Sequence, residues 1–237
     1  MNTQTYSAGY VVADADPSER AAFIRRTYGH LAGAILAFIL IEGFLFTTPL
    51  PRALMSLLAT SRFAWLIVLG GFMLVSWVAD KWAQSDVSPS MQYAGLGLYV
   101  VAEAFLFVPL LFMAAHYSAP DVIPMAAVIT GLLFAGLTFT AFTTRKDFSF
   151  LGSILKLASF IALGVIIASA LFGFSLGLIF ASVMVLFAAG SILYTTSNIL
   201  HHYHPRQHVA AALALFASVA LLFWYVLRIL MSLSRRD

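Results

Sequence analysis

Seven runs of about twenty apolar residues, separated by short polar breaks, fix most of what this chain can become. They lie near residues 29–48, 63–80, 92–115, 121–142, 150–172, 175–197 and 209–231. Each is long enough as a helix to cross the roughly 30 Å hydrocarbon core of a bilayer. The breaks hold turn and charge signals, such as Thr-Thr-Pro-Leu-Pro-Arg at 47–52, Thr-Thr-Arg-Lys-Asp at 143–147 and His-Pro-Arg at 204–206. No run alternates as a barrel strand would, and in lipid only helices and closed barrels satisfy the backbone. The reading is therefore an all-α membrane protein, a seven-helix bundle over residues 29–231. A polar segment, 1–28, precedes it and a short tail, 232–237, follows. The apolar stretch 53–61 is too short to span and is expected along the interface.

Composition agrees: 62% of the 237 residues are hydrophobic and 10% charged, against about 25% charged in soluble domains. A net charge of +3 does not make a nucleic-acid surface. With no cysteine, disulfides and thiolate metal sites are excluded. The first apolar run lacks a small-residue cleavage site and is expected to stay as an anchor. With the N-terminus cytoplasmic, the inner segments hold Arg20, Arg25, Arg26, Lys81, Arg145, Lys146, Lys156 and Arg206. The outer ones hold Arg52, Arg62, Arg228, Arg235 and Arg236, and this excess inside favours that orientation. Small residues such as Gly70, Gly71, Gly131, Gly136, Gly164 and Ala168 are expected where helices approach closely.

Two acids interrupt the apolar runs: Glu42 in the first and Glu103 in the middle of the third. A charge at membrane depth costs about 2.5–3.5 kcal/mol on insertion scales, so such acids mark candidate sites. Glu103 is either a proton- or cation-handling carboxylate facing the bundle interior or a neutral, hydrogen-bonded structural acid. Glu42, nearer its helix end, carries the same alternatives. Lys156 and Arg228 either snorkel to an interface or pair with an intramembrane acid. Residues 201–208 hold four of the six histidines, a metal- or pH-responsive cluster or simply a solvated loop. The polar run Tyr194-Thr195-Thr196-Ser197-Asn198 is either a frayed helix end or part of a motif. No H-E-x-x-H or Walker loop is present. No hydrolase signature, enzyme activity or cofactor is expected.

Three stretches resemble the Bax inhibitor-1 family, in particular its bacterial YccA-like branch. They are Arg26-Thr27-Tyr28, the loop Thr143-Thr144-Arg145-Lys146-Asp147-Phe148-Ser149-Phe150-Leu151-Gly152, and Leu193-Tyr194-Thr195-Thr196-Ser197-Asn198-Ile199. The resemblance covers about residues 20–237 and implies a bundle whose last helix is surrounded by the other six. It also implies a bacterial inner-membrane location and one of two activities, modulation of an FtsH-type membrane protease or calcium leak; the intramembrane acids Glu103 and Glu42 extend the second to a passive path for calcium or protons. Calcium-leak members share two facing aspartates that act as a pH-sensitive latch. Thr195 and Ser218 stand at the matching positions here, so that latch is expected to be absent. The family-motif loop centres on Arg145, Lys146 and Asp147.

Overall fold

A computed structural model describes residues 10–61, 63–85, 88–144 and 146–234. Eight α-helices make up these residues: α1 Pro17–Phe46, α2 Leu50–Thr60, α3 Ala64–Ala83, α4 Pro89–Tyr117, α5 Val122–Thr144, α6 Leu151–Phe172, α7 Leu178–His201 and α8 His208–Ser234. All but α2 are long and apolar enough to cross a membrane. Their alternating direction creates two faces. The amino face holds residue 17, the α3–α4 and α7–α8 turns and the α5–α6 loop. The carboxy face holds α2, the α4–α5 and α6–α7 turns and residue 234.

The helix ends follow from local chemistry. Pro17 and Pro89 sit in first turns, where a missing N–H costs nothing. Ser88 Oγ accepts from Met91 N and caps α4. At the end of α1, the hydroxyls of Thr47 and Thr48 donate to the carbonyls of Phe44 and Leu45, satisfying orphan acceptors. Gly173 closes α6 at φ 78°, a left-handed conformation that glycine adopts without penalty.

Three expectations change. α1 begins at Pro17, so the polar residues 17–28 extend the first helix beyond its apolar run. The run 194–198 is not frayed: α7 continues through it to His201, with Thr195, Thr196 and Ser197 buried. The small residues that permit close approach are also different ones. A Cβ built on Gly70, Gly71, Gly131, Gly136 or Gly164 would meet nothing within 4 Å. One on Gly95 would lie 2.5 Å from Ala79 O and 2.6 Å from Ala83 N. Gly95 thus allows α3 and α4 to touch backbone to backbone, with Ala79 and Ala83 fully buried in the seam.

α8 is the centre of the bundle, and α1, α3, α4, α5 and α7 pack on it. α6 does not complete the ring. It packs principally on α7, and among its described residues Ala162 alone is buried. The core runs along α4 and α8. Phe107 is fully buried there, stacked on Phe223 at 5.7 Å and meeting Trp224 and Phe38 edge-on at 4.9 and 5.2 Å. Such aromatic pairs add about 0.5–1.5 kcal/mol each beyond area burial.

Candidate functional site

Helix α4 carries Glu103 fourteen residues from Pro89 and fourteen from Tyr117. At 1.5 Å per residue that is about 21 Å from either end. The side chain is 5% exposed and faces the interior, lining a cavity of about 750 Å³ bounded by α3, α4, α6, α7 and α8. α3 and α6 both line this space without packing extensively on one another.

Polar groups gather at two levels of this largely apolar cavity. Ser159, Ser191 and Ser218 share the deep level with Glu103 and Tyr99, while Ser169, Ser175 and Arg228 mark the carboxy-face level. From Ser218 to Arg228 is ten residues of α8, or about 15 Å. Arg228 thus shares a cavity with an intramembrane acid, one helix-length segment away from it. Lys156 is exposed on α6.

Glu103 Oε2 is buried without a hydrogen-bond partner, and Tyr99 stands four residues before it on α4. The two residues are one helical turn apart and therefore share a face. The Tyr99 ring is held edge-on between Phe72 of α3, at 5.9 Å, and Phe216 of α8, at 6.1 Å. Across the seam on α3, Ser76 Oγ is buried without a hydrogen-bond partner, and Asp80 stands one turn further toward the amino face. Asp80 is exposed and accepts from Gln84 Nε2 at 2.7 Å. Its charge also acts on Tyr203, whose phenol is pushed up to about 12, mainly by burial. Tyr99 escaped the sequence reading, although it stands at i, i+4 spacing to Glu103, which would have revealed it.

Glu42 is placed elsewhere. It is 6% exposed, both its carboxyl oxygens lack partners, and it does not line this cavity. Nothing in the structure brings it together with Glu103. Of the positions matching the family latch, Ser218 lines the cavity and donates to Ala214 O at 2.9 Å. Thr195 is buried on α7 and is not part of the lining.

The two longer motif stretches meet at the amino face. Ser197 Oγ accepts from Phe148 N at 2.8 Å and donates to Asp147 Oδ1 at 3.4 Å. Asp147 Oδ1 also accepts from Ser149 N at 2.8 Å, and Oδ2 pairs with His202 Nε2 at 3.3 Å. The Ser149 backbone bond, aided by His202, holds the Asp147 carboxyl below its ordinary range. Gly152 lets this loop close on α7, because a Cβ there would lie 2.8 Å from the Tyr194 ring. Lys146 is exposed in this loop, and Arg145 lies outside the described residues.

The histidines disperse. His202 pairs with Asp147, His204 Nδ1 bonds Tyr10 O at 2.9 Å, and His208 packs on His30 at 5.1 Å between ring centres. Among the described residues no three histidines or acids converge as a metal site. One pattern runs against expectation: Gly173-Phe174-Ser175-Leu176-Gly177 has the G-x-S-x-G spacing of a nucleophile elbow. That elbow requires a strand feeding a helix. Here the segment joins α6 to α7, and the described residues contain no strand.

Residues 20–235 match the family model described as inhibitor of apoptosis-promoting Bax1. The chain belongs to this family, the Bax inhibitor-1 family. It is 30% identical over 232 residues to an uncharacterised protein of Pseudomonas aeruginosa, covering 97% of this chain and 96% of that one. It is 28% identical over 235 residues to Bax inhibitor 1 of Schizosaccharomyces pombe, covering 95% and 82%. It is 35% identical over 116 residues to the modulator of FtsH protease YccA of Escherichia coli K12, covering 48% of this chain and 52% of that protein.

Proposed function

We propose that this protein resides in a bacterial inner membrane, N-terminus cytoplasmic, and modulates an FtsH-type membrane protease. The observation that carries this reading is the likeness to the Escherichia coli protease modulator, joined to the loss of both latch acids. Thr195 and Ser218 carry no titratable group, so the charge pair that would open and close a calcium path has no counterpart at these positions. The docked motif stretches supply a partner surface of fixed shape on the amino face. Beside them a polar cavity of about 460 Å³ is lined by residues that include Ser149, Tyr194, Asn198 and His202. The test is reconstitution of an FtsH-type protease with a membrane substrate, with and without this chain. Modulation slows substrate turnover in proportion to the chain added, and the two proteins co-purify. Unchanged turnover at several-fold excess refutes the reading.

A second reading, ion leak across the membrane, is favoured by one observation: the central acid Glu103 lines a large cavity rather than being sealed by neighbours. Flux into proteoliposomes of the purified chain tests it directly.

A further inference from the structure

We infer that the cavity beside Glu103 holds one acyl chain of an anionic phospholipid, with the lipid's phosphate on Arg228. This site depends on neither protease modulation nor leak.

The cavity has the depth of one leaflet. It runs about 15 Å along α8, from the Ser218 level to the Arg228 level. That is half of the roughly 30 Å hydrocarbon thickness of a bilayer. Among the described lining residues Arg228 alone is cationic, and it stands at the end nearer the carboxy face. It is six residues, or about 9 Å, from the end of α8 at Ser234. From there an arginine stem carries its guanidinium to the headgroup layer. A phospholipid in that leaflet brings its phosphate to the level of Arg228 and its chain end to the level of Ser218.

The lining suits hydrocarbon. At the deep level Ser159, Ser191 and Ser218 donate to the carbonyls of Lys156, Phe187 and Ala214 at 2.7, 3.0 and 2.9 Å. Ser169 donates to Phe174 O at 2.6 Å. These hydroxyl donors are spent within the protein, and most of the other lining side chains are apolar. Glu103 shares the deep level with Ser218, so its carboxyl group stands apart from the phosphate.

The lipid has a way in. α3 and α6 both line the cavity without packing extensively on one another. Both turn large apolar side chains outward, among them Ile67 and Leu74 of α3 and Leu157 and Phe160 of α6. The gap between them therefore opens on the bilayer, where the lipid's second chain remains.

The cation is free to receive a phosphate. Among the described residues no carboxylate pairs with Arg228. A second cavity of about 650 Å³ shares Arg228, Trp65 and Trp224 with the first and continues past them to Ser232, leaving room for a headgroup. An arginine fork matches phosphate oxygens two at a time.

The experiment uses the full chain in phosphatidylcholine vesicles, in a Trp77→Phe, Trp82→Phe background, because both of those indoles are exposed. Trp65 and Trp224, stacked at 5.9 Å and lining the cavity, then report on it. The vesicles carry a small fraction of either phosphatidylglycerol or phosphatidylcholine with brominated chains, which quench tryptophan on contact. Brominated phosphatidylglycerol should quench at about a fivefold lower fraction, the preference that one arginine near the surface gives an anionic lipid. Arg228→Gln should bring the two lipids to equality. Ala170→Phe, which puts a ring into the cavity from a half-buried position on α6, should weaken quenching by both. Thermal unfolding is followed in the same preparations. Equal quenching by the two lipids in the chain bearing Arg228 overturns the inference, whether or not Arg228→Gln folds. A preference that survives Arg228→Gln overturns the phosphate contact, and quenching unaltered in folded Ala170→Phe overturns the place of the chain.

Discussion

Gly95→Ala is the smallest change that tests the α3–α4 seam, the close approach that seats Tyr99 against Phe72. The added Cβ would lie 2.5 Å from Ala79 O and 2.6 Å from Ala83 N. Ordinary contact begins near 3.4 Å, so the helices must part by about 0.9 Å. Both opposing atoms belong to the backbone of α3 and cannot rotate aside. Overpacking of this kind costs about 1–3 kcal/mol, and the lack of any yielding side chain argues for the upper part of that range. Gly97 is an internal control, two residues along the same helix, exposed, with nothing within 4 Å of its Cβ position. Alanine there should stabilise by about 1 kcal/mol or less through helix propensity alone. Thermal unfolding in detergent or nanodiscs should separate the two variants in opposite directions. Equal melting temperatures for the two variants would refute the seam, and with it the account of how Tyr99 meets α3.

Further outcomes follow from the same geometry. Ser197→Ala removes the acceptor of Phe148 N and should destabilise the chain by about 1–3 kcal/mol, read as a lowered unfolding temperature and faster proteolysis of the 143–150 loop. Because the Asp147 carboxyl is depressed on folding, its stabilising contribution is present above the unfolded-state pKa and is lost as pH falls through the folded one. Unfolding temperature should therefore decline below the ordinary carboxylate range, and Asp147→Asn should flatten that decline. The pair Thr195→Asp and Ser218→Asp should confer pH-dependent leak, since it restores two titratable groups at the positions matching the family latch; flux profiles without any pH step would count against the match. On the leak reading, Arg228→Glu removes a positive charge from the cavity lining and should raise calcium flux relative to the unaltered chain.

The seven spans are legible because membrane crossing is decided by apolar length, which a single sequence displays without partners. What failed depends on partners. The glycines singled out for close approach were chosen by residue type, but Gly131 and Gly164 have open space where Gly95 has the backbone of α3. Only the facing helix decides which glycine is needed. The polar run 194–198 could be read as fraying because a hydroxyl at a helix end is ambiguous until Ser197 is seen holding the 143–150 loop. The site was half visible. Glu103 announces itself by its cost in hydrocarbon, whereas Tyr99 is an ordinary aromatic until its ring is fixed between Phe72 and Phe216. Glu42 shows the reverse: the same sequence signal, and no place in the cavity.

The position of the ionisable group also decides which part of the bundle can respond to it. At positions 195 and 218 an acid pair would load the seam between α7 and α8, among the most extensively packed seams of the bundle, on a helix held by four others besides. Altering it means disturbing the core. Glu103 faces instead a cavity walled on one side by α6, which packs principally on α7 and buries only Ala162 among its described residues. Elements with few buried contacts open at the lowest free energy. A change of charge at Glu103 therefore has a compliant wall beside it, and α6 can shift without unpacking Phe107 or its neighbours. Glu103 thus faces the least constrained helix of the bundle, where an aspartate pair at the latch positions would face the most constrained one. On the leak reading, cross-linking α6 to α3 across the cavity should suppress ion flux while leaving the unfolding temperature unchanged or raised. Undiminished flux through a bundle locked in this way would mean that α6 plays no part.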